Sequence, residues 1–231
     1  MTNNRKNNTD TMDEIIVSTN NFNTVQTICK DALKYSKMVS IIGNPGLGKT
    51  TALEYYLNNN KNVIYIWATA SMSARDLFTQ LLNTMGIEGK NLGNNLHALI
   101  NHVAYKLNYE QERKLLIIDE AGKFKPRFLE YLHELRDKTE HTTGIVLAGP
   151  EYFHENMQKW KNKGVIGVPE VFRRIQHWEY LLRPTKPEIA TLCKAHGIES
   201  LELIRKIQKE ASENFSQVVY AIKAIKILQN R

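Results

Sequence analysis

The chain has 231 residues, a hydrophobic content of 42% and a formal net charge of +7. Length and composition favour one mid-sized globular domain with a small appendage and exclude a largely disordered chain. The apolar runs are far shorter than the roughly 20 residues of a membrane helix, and the Asn-rich N-terminus lacks an apolar signal core, so neither a membrane protein nor a secreted one is expected.

Short strands alternate with helices through most of the chain. Strands are predicted at residues 39–42, 63–67, 115–118, 144–148 and 175–182, and helices at residues 49–58, 74–85, 96–107 and 127–138. Because parallel strands need helical crossovers, this alternation predicts an α/β fold with a five-stranded parallel sheet flanked by helices on both faces.

The pattern changes at residues 183–187, which read Arg-Pro-Thr-Lys-Pro. Beyond them only helices are predicted, at residues 188–196, 201–211 and 216–229. We therefore expect three parts: a disordered polar tail at 1–13, an α/β domain at 14–183 and a small helical domain at 184–231.

The two cysteines, Cys29 and Cys193, are far apart and have no neighbouring Cys or His at metal-ligand spacing. This pattern suggests no zinc site. A reducing, cytoplasmic environment is the natural expectation.

The positive charge lies mainly in the second half of the chain. Residues 1–120 carry 12 basic and 11 acidic groups, whereas residues 121–231 carry 19 and 13, so the net charges are +1 and +6. A basic half suggests a polyanionic partner. Many basic soluble proteins bind no nucleic acid, however, and charge alone leaves both interpretations open.

The segment after the first strand matches the phosphate-binding pattern G-x-x-x-x-G-K-[ST], known as Walker A. The flanking strand and helix give it the expected context and make a chance Gly-rich turn the weaker alternative. Lys49 is expected to reach the β- and γ-phosphates of ATP and Thr50 to hold Mg²⁺. The predicted nucleotide-binding residues of this segment are Gly43, Asn44, Pro45, Gly46, Leu47, Gly48, Lys49, Thr50 and Thr51.

The third strand ends in Asp119 and Glu120, the arrangement of a Walker B motif. Asp119 is predicted to bind the nucleotide's Mg²⁺ and Glu120 to act as general base on the attacking water. An ordinary buried strand followed by two surface acids is the alternative. The presence of Walker A in the same chain favours the catalytic interpretation.

These motifs, with five strands and a helical tail, resemble the AAA+ ATPase family, in which the C-terminal helices form a lid. By this resemblance Arg173 or Arg174, with Arg174 favoured, would be an arginine finger that reaches the γ-phosphate of a neighbouring subunit. The pair would precede a strand on the far side of the sheet from Lys49. The alternatives are a basic surface pair or a salt bridge to Glu170.

Two positions depart from the AAA+ pattern. The fourth strand ends in Gly149-Pro150, so no polar side chain occupies the sensor 1 position, and Ser216 or Gln217 stands where a sensor 2 arginine is usual. These departures imply slow hydrolysis, stimulated by DNA, with ATP acting more as an assembly switch.

The chain is most similar in arrangement to the Orc/Cdc6-like branch that includes phage Mu transposition protein B and TnsC-type regulators. The resemblance covers residues 15–228 and rests on Thr19, the two nucleotide motifs, Leu147-Ala148-Gly149 and Arg174-Ile175. It implies a homo-oligomer, as a ring or helical filament, which binds double-stranded DNA largely without sequence preference and passes it to a transposase. Only a polar tail precedes Ile15, so an N-terminal helix-turn-helix domain is not expected.

Contacts to DNA have to be assigned from charge. Lys159, Lys161 and Lys163 lie in a segment that looks like a basic loop, suited to phosphate contacts without sequence readout. Arg75, after the second strand, lies where related ATPases line a DNA channel. A solvated surface is the alternative at both places, and it is favoured for the lid lysines Lys206, Lys209, Lys223 and Lys226.

Two other functions fit the nucleotide motifs. One is a helicase-loader-like ATPase of the IstB or DnaC type, which would act through a protein partner. The other is a regulatory NTPase of the STAND class, which is disfavoured because no effector domain follows Leu228.

Overall fold

The computed structural model describes residues 15–87, 95–109 and 112–229, and the predicted tail at 1–13 lies outside them. Contacts divide the chain into two compact units. The larger unit spans Asn20–Arg183, and the smaller one comprises the described residues from Pro184 onward together with residues 15–19.

The larger unit contains one parallel sheet of five strands in the order β2-β3-β4-β1-β5. The three inner strands are buried along their whole length, as expected for parallel strands covered on both faces. The predicted five-stranded parallel sheet is therefore confirmed. The strands are β1 (Met38–Ile42), β2 (Val63–Trp67), β3 (Lys114–Asp119), β4 (Thr143–Gly149) and β5 (His177–Tyr180).

Helices cover both faces of this sheet because successive strand residues point to opposite sides. On one face α1 and α2 pack over Val39, Ile41, Leu115 and Ile117. On the other face α3 to α7 pack over Met38, Ile42, Leu116 and Ile118. The helices are α1 (Asn20–Tyr35), α2 (Lys49–Asn59), α3 (Ala74–Thr84), α4 (Leu96–Tyr109), α5 (Pro126–Lys138), α6 (Glu151–Asn162) and α7 (Val168–Arg174).

The smaller unit is helical, with α8 (Lys186–Ala195), α9 (Leu201–Glu210) and α10 (Phe215–Gln229) around an apolar core. The Thr185 hydroxyl accepts a hydrogen bond from the Glu188 amide, and the Glu188 carboxylate bonds back, so a capping box begins α8. Val17 packs against this core rather than in the larger unit. None of the helices in the described parts of the chain is long and apolar enough to span a membrane.

Two local predictions were wrong. The predicted basic loop at residues 159–164 is largely the end of α6, which runs to Asn162 because Phe153, Met157 and Trp160 recur at helical spacing and pack on the core. Gly164, with φ of +64°, follows the end of the helix. The fifth strand has only four residues, since Ile175 caps α7 and ladder pairing begins at His177.

Candidate functional site

The two nucleotide motifs meet at one edge of the sheet. Walker A follows β1 and Walker B ends β3, and in a parallel sheet the carboxyl ends of all strands lie at the same edge. The Gly43 amide donates to the Gly149 carbonyl over 3.1 Å, which fixes the start of the loop to the end of β4. Asn21 of α1 adds a support that the sequence did not reveal, because its side-chain amide donates to the Leu47 carbonyl over 3.2 Å.

Glycine lets the loop turn tightly into α2. Gly46 and Gly48 have φ of +83° and +85°, in the left-handed region that side chains with a Cβ rarely adopt. Helix α2 begins at Lys49 directly after Gly48. The first amides of a helix have no intrahelical partner, so the loop directs N–H groups and the positive helix end towards one point, as phosphate binding requires.

Lys49 is 7% exposed and belongs to the buried part of this cradle. Its Nζ donates to the carbonyls of Gly43, over 2.5 Å, and Asn44, over 3.2 Å. Burial lowers the pKa of the Lys49 amine, and the negative charges of Asp119 and Glu120 oppose that shift. A buried ammonium bonded to backbone carbonyls is ready to bind an anion such as a phosphate.

Asp119 is fully buried and its carboxylate accepts several hydrogen bonds. Thr50 Oγ1 donates to Oδ2 over 2.7 Å, and the Glu120 amide donates to Oδ1 over 2.8 Å. Mg²⁺ prefers oxygen ligands and is usually bound through one or two carboxylates together with nucleotide phosphates. The Thr50 hydroxyl and the Asp119 carboxylate therefore fit a magnesium–nucleotide site.

Tyr65 of β2 is a member of this cluster that the sequence analysis missed. Its hydroxyl donates to Asp119 Oδ2 over 3.0 Å. Burial, reinforced by the charge of Asp119, raises the pKa of the Tyr65 phenol far above its usual range. Nothing in the local sequence of β2 predicts this contact, because the Tyr65 phenol reaches Asp119 only through the pairing of β2 with β3.

Glu120 has a left-handed backbone with φ of +59°, unusual for a residue other than glycine. Such conformations concentrate at functional sites. A 3-10 turn at Ala121–Lys123 follows, and Lys123 Nζ lies 3.4 Å from Glu120 Oε2. The Glu120 carboxylate therefore lies beside the Walker motifs and is paired with Lys123.

Comparison with known proteins identifies the family of this chain. Residues 30–157, more than half of the chain, match the family described as AAA domain. The chain belongs to the AAA domain family. Membership implies nucleotide binding, in agreement with the cradle formed by Lys49, Thr50 and Asp119.

Two curated relatives carry the same name, ATP-dependent target DNA activator B. The protein of Escherichia phage D108 is 28% identical over 200 residues, and that of Escherichia phage Mu is 27% identical over 200 residues. Each alignment covers 84% of this chain and 61% of the relative, so the chain spans about three-fifths of their length. The predicted resemblance to Mu transposition protein B is confirmed.

Solved structures of the Orc/Cdc6 kind share the fold. The ORC2 protein of Aeropyrum pernix has a TM-score of 0.66 at 17% identity, covering 93% of this chain and 62% of that one. The ORC1 protein of the same organism, solved in complex with DNA, has a TM-score of 0.66 at 12% identity, and the match covers 91% of this chain and 60% of that one. Cdc6p of Pyrobaculum aerophilum has a TM-score of 0.57 at 15% identity, and the match covers 75% of this chain and 47% of that one. At these identities the likeness concerns the fold alone, and it confirms the predicted AAA+ architecture.

The end of β4 carries a polar link near the position of the AAA+ sensor 1. The strand ends at Gly149, as the sequence indicated, but Asn44 Nδ2 of Walker A donates to Glu151 Oε1 over 3.1 Å. Glu151 is the first residue of α6. The link connects the phosphate loop to the element after β4, although it places no cation there.

Arg173 and Arg174 end α7 at the amino edge of this AAA sheet. Arg174 donates to Asp137 Oδ1 over 2.6 Å and to Glu140 Oε1 over 3.4 Å, so its carboxylate partners lie around the end of α5 and not at Glu170. Arg173 is exposed, and no ion pair of Arg173 is found within the described residues.

The expected position of β5 was wrong in one respect. β5 pairs directly with β1, the strand that leads into Walker A, rather than lying on the far side of the sheet. The arginines are nevertheless remote from Lys49, because they precede β5 whereas Lys49 follows β1, and the two strands are parallel. The arginines and Lys49 are therefore separated along the strands, from the amino edge to the carboxyl edge of the sheet, and not by intervening strands.

The residues predicted to contact DNA lie in two separate places. Lys159, Lys161 and Lys163 are exposed at the end of α6, where cations also stabilise the negative end of the helix. Lys161 Nζ lies 4.3 Å from the centre of the Phe172 ring. Arg75 is half-buried in the first turn of α3, beside Asp76. The pKa of the Asp76 carboxyl is lowered first by hydrogen bonds from Ser73 and then by the charge of Arg75.

Proposed function

We propose that this AAA-family chain is an ATPase that assembles on double-stranded DNA in its ATP-bound state and delivers that DNA to, or activates, a transposase. The single observation that carries the proposal is the buried cradle of Lys49, Thr50 and Asp119. The two phage relatives are named ATP-dependent target DNA activator B, and this name supports the proposal that ATP binding serves the activation of target DNA.

In the proposed reaction each residue of the cradle has one role. The N–H groups of the loop and the Lys49 ammonium bind the phosphates, exchanging two backbone carbonyls for phosphate oxygens. Thr50 and Asp119 would hold Mg²⁺, which neutralises charge on the β- and γ-phosphate oxygens when bound. Glu120, which is paired with Lys123 through one oxygen only, would accept a proton from the attacking water.

Slow, DNA-stimulated turnover belongs to this proposal. The polar link directly after β4 joins Asn44 to Glu151 and brings no positive charge to the phosphate loop. The Glu120 carboxylate is paired with Lys123. We therefore expect hydrolysis to be slow until assembly on DNA brings an arginine of a neighbouring subunit to the nucleotide.

Assembly would complete the site. Arg173 and Arg174 lie at the amino edge of the sheet and Walker A at the carboxyl edge, so an arginine can reach a γ-phosphate only from a neighbouring subunit. A contact between two different edges is heterologous, and repeated contacts of this kind form a ring or an open helix. A homo-oligomer around or along duplex DNA is the proposed active form.

Non-specific DNA binding would come from Lys159, Lys161, Lys163 and Arg75. The three lysines are exposed at the end of α6, and the amine of Lys161 also lies over the Phe172 ring. Exposed lysines contact phosphates without reading bases, and this makes binding tolerant of sequence and sensitive to salt.

The test is to measure the ATPase rate, and to image the protein by electron microscopy, with and without duplex DNA. The proposal expects ATP-dependent assemblies on DNA, a higher ATPase rate with DNA, and neither property in Lys49→Ala. A transposase encoded beside this chain would then capture target DNA better in its presence. A monomer that ignores DNA in both measurements contradicts the proposal, even if ATP binds.

A further inference from the structure

The hydrogen bond from Tyr65 to Asp119 depends on strand pairing. In the parallel register of β2 and β3, Trp67 is paired with Asp119 and Tyr65 lies two residues earlier on the same face of β2. Its side chain is long enough to reach the end of β3 from there. The phenolic oxygen lies 3.0 Å from Asp119 Oδ2.

Three donors therefore hold the Asp119 carboxylate. The hydroxyls of Thr50 and Tyr65 donate to Oδ2, and the Glu120 amide donates to Oδ1. Two ionised oxygens offer about four lone-pair positions, so one position is left for another partner. These donors orient the Asp119 carboxylate, which is fully buried.

The two hydroxyls differ in what a nucleotide would require of them. Thr50 belongs to the phosphate loop, and a threonine at this position offers its oxygen to the magnesium of a bound nucleotide. Tyr65 belongs to β2, outside the phosphate loop, and its phenol can keep donating to Asp119 when Thr50 turns to the metal.

We propose that Tyr65 is a positioning residue of the magnesium site, which holds the Asp119 carboxylate in place through its hydroxyl and so strengthens Mg²⁺ binding in the nucleotide complex. The proposal rests on the nucleotide-binding function proposed above. Partners of this kind, which bond to a metal ligand and not to the metal, typically change metal affinity by about 10- to 100-fold when removed.

Tyr65→Phe removes the hydroxyl and keeps the ring, which packs with the core between the sheet and α1 and α2. Tyr56→Phe is the matched control, because Tyr56 belongs to the same core and its hydroxyl makes no hydrogen bond to any described residue. Thermal unfolding of both variants without ligand shows whether each retains the fold.

The measurement is binding of a fluorescent ATP analogue as a function of Mg²⁺ concentration, with a parallel series in EDTA. We expect Tyr65→Phe to need about 10-fold more Mg²⁺ for half of the Mg²⁺-dependent gain in affinity. Its affinity in EDTA should equal that of the parent, and Tyr56→Phe should match the parent in both series.

Each other result overturns the proposal in a recognisable way. An unchanged Mg²⁺ requirement in Tyr65→Phe leaves the phenol a packing residue only, with the nucleotide function intact. Equal weakening with Mg²⁺ and in EDTA means that the variant damages the phosphate cradle and not the metal site. A parent protein that binds no nucleotide removes both this proposal and the function on which it rests.

Discussion

The nucleotide edge of the sheet and the basic end of α6 use charged residues in opposite ways. At the nucleotide edge Lys49 and Asp119 are buried, and their polar atoms are bonded to named partners. At the end of α6 three lysines are exposed, and the amine of one of them, Lys161, lies over the Phe172 ring.

This difference governs how far function can be inferred. Burying a charge is costly unless other groups compensate, so a buried and bonded constellation points to a specific use. An exposed lysine costs little and is found on most protein surfaces. Substitutions in the two regions should therefore differ in effect as the regions differ in construction.

The largest effect is expected from the arginines of α7. A finger that acts between subunits is worth about 10³–10⁵ in rate. If Arg173 or Arg174 has this role, its replacement by Ala should lower DNA-stimulated ATPase activity by that factor. Lys49→Ala subunits that join the ATP-bound assemblies of the inactive variant should restore part of the activity, since the arginine variant supplies the phosphate loop and Lys49→Ala supplies the finger.

The two arginines can be told apart by stability. Arg174→Ala should lower the free energy of unfolding by about 1 kcal/mol, because it removes partly exposed ion pairs to Asp137 and Glu140. Arg173→Ala should leave the free energy of unfolding unchanged.

Normal hydrolysis by both variants, in a protein that stays monomeric with ATP and DNA, would falsify the assembly part of the proposal.

Glu120→Gln tests the proposed base. The amide cannot accept a proton from water, so turnover should fall by about 10²–10⁴ while ATP still binds. ATP-bound assemblies on DNA should last longer than those of the parent. The checks are steady-state hydrolysis and nucleotide binding, and a variant that turns over at the parental rate assigns the base elsewhere.

Lys49→Ala tests the buried cation itself. Removing a hydrogen-bonded charge that faces the phosphates should weaken ATP binding by at least about 10-fold. Circular dichroism should show an unchanged fold, because the left-handed backbones of Gly46 and Gly48, which turn the loop, remain in this variant. Unaltered ATP affinity would contradict the phosphate-loop assignment.

The smallest effect is expected from the exposed lysines. Changing Lys159, Lys161 and Lys163 to Ala should weaken binding to every duplex alike. The log–log salt slope should fall by up to about 0.9 for each DNA phosphate that the variant no longer neutralises. The matched control removes the same charge from exposed positions in the smaller unit: Lys206, Lys209 and Lys223.

The control decides between local binding and general charge. If both triple variants show the same drop in affinity, net charge and not the end of α6 attracts DNA. If neither variant changes the slope, Arg75 becomes the next residue to test, by Arg75→Ala in the same titration.

Sequence patterns found the sheet because strand composition is a local property. β2 was predicted with its observed bounds, and β1, β3 and β4 within one residue at each end. Nearly continuous apolar runs marked the three inner strands, which are buried on both faces. The same patterns misjudged the end of α6. Its lysines and asparagine looked like a loop, whereas burial of Met157 and contact of Trp160 with the core keep it helical.

By itself the sequence determined the nucleotide motifs, because phosphate binding needs glycines, a lysine and a threonine at fixed spacing within one loop. The tertiary structure alone decided everything that depends on neighbours distant in the chain. It paired β5 with β1, bonded Arg174 to the acids near the end of α5, and brought Tyr65 to Asp119. Strand order and register fix such contacts, and they arise from packing across the whole sheet rather than from any local run of residues.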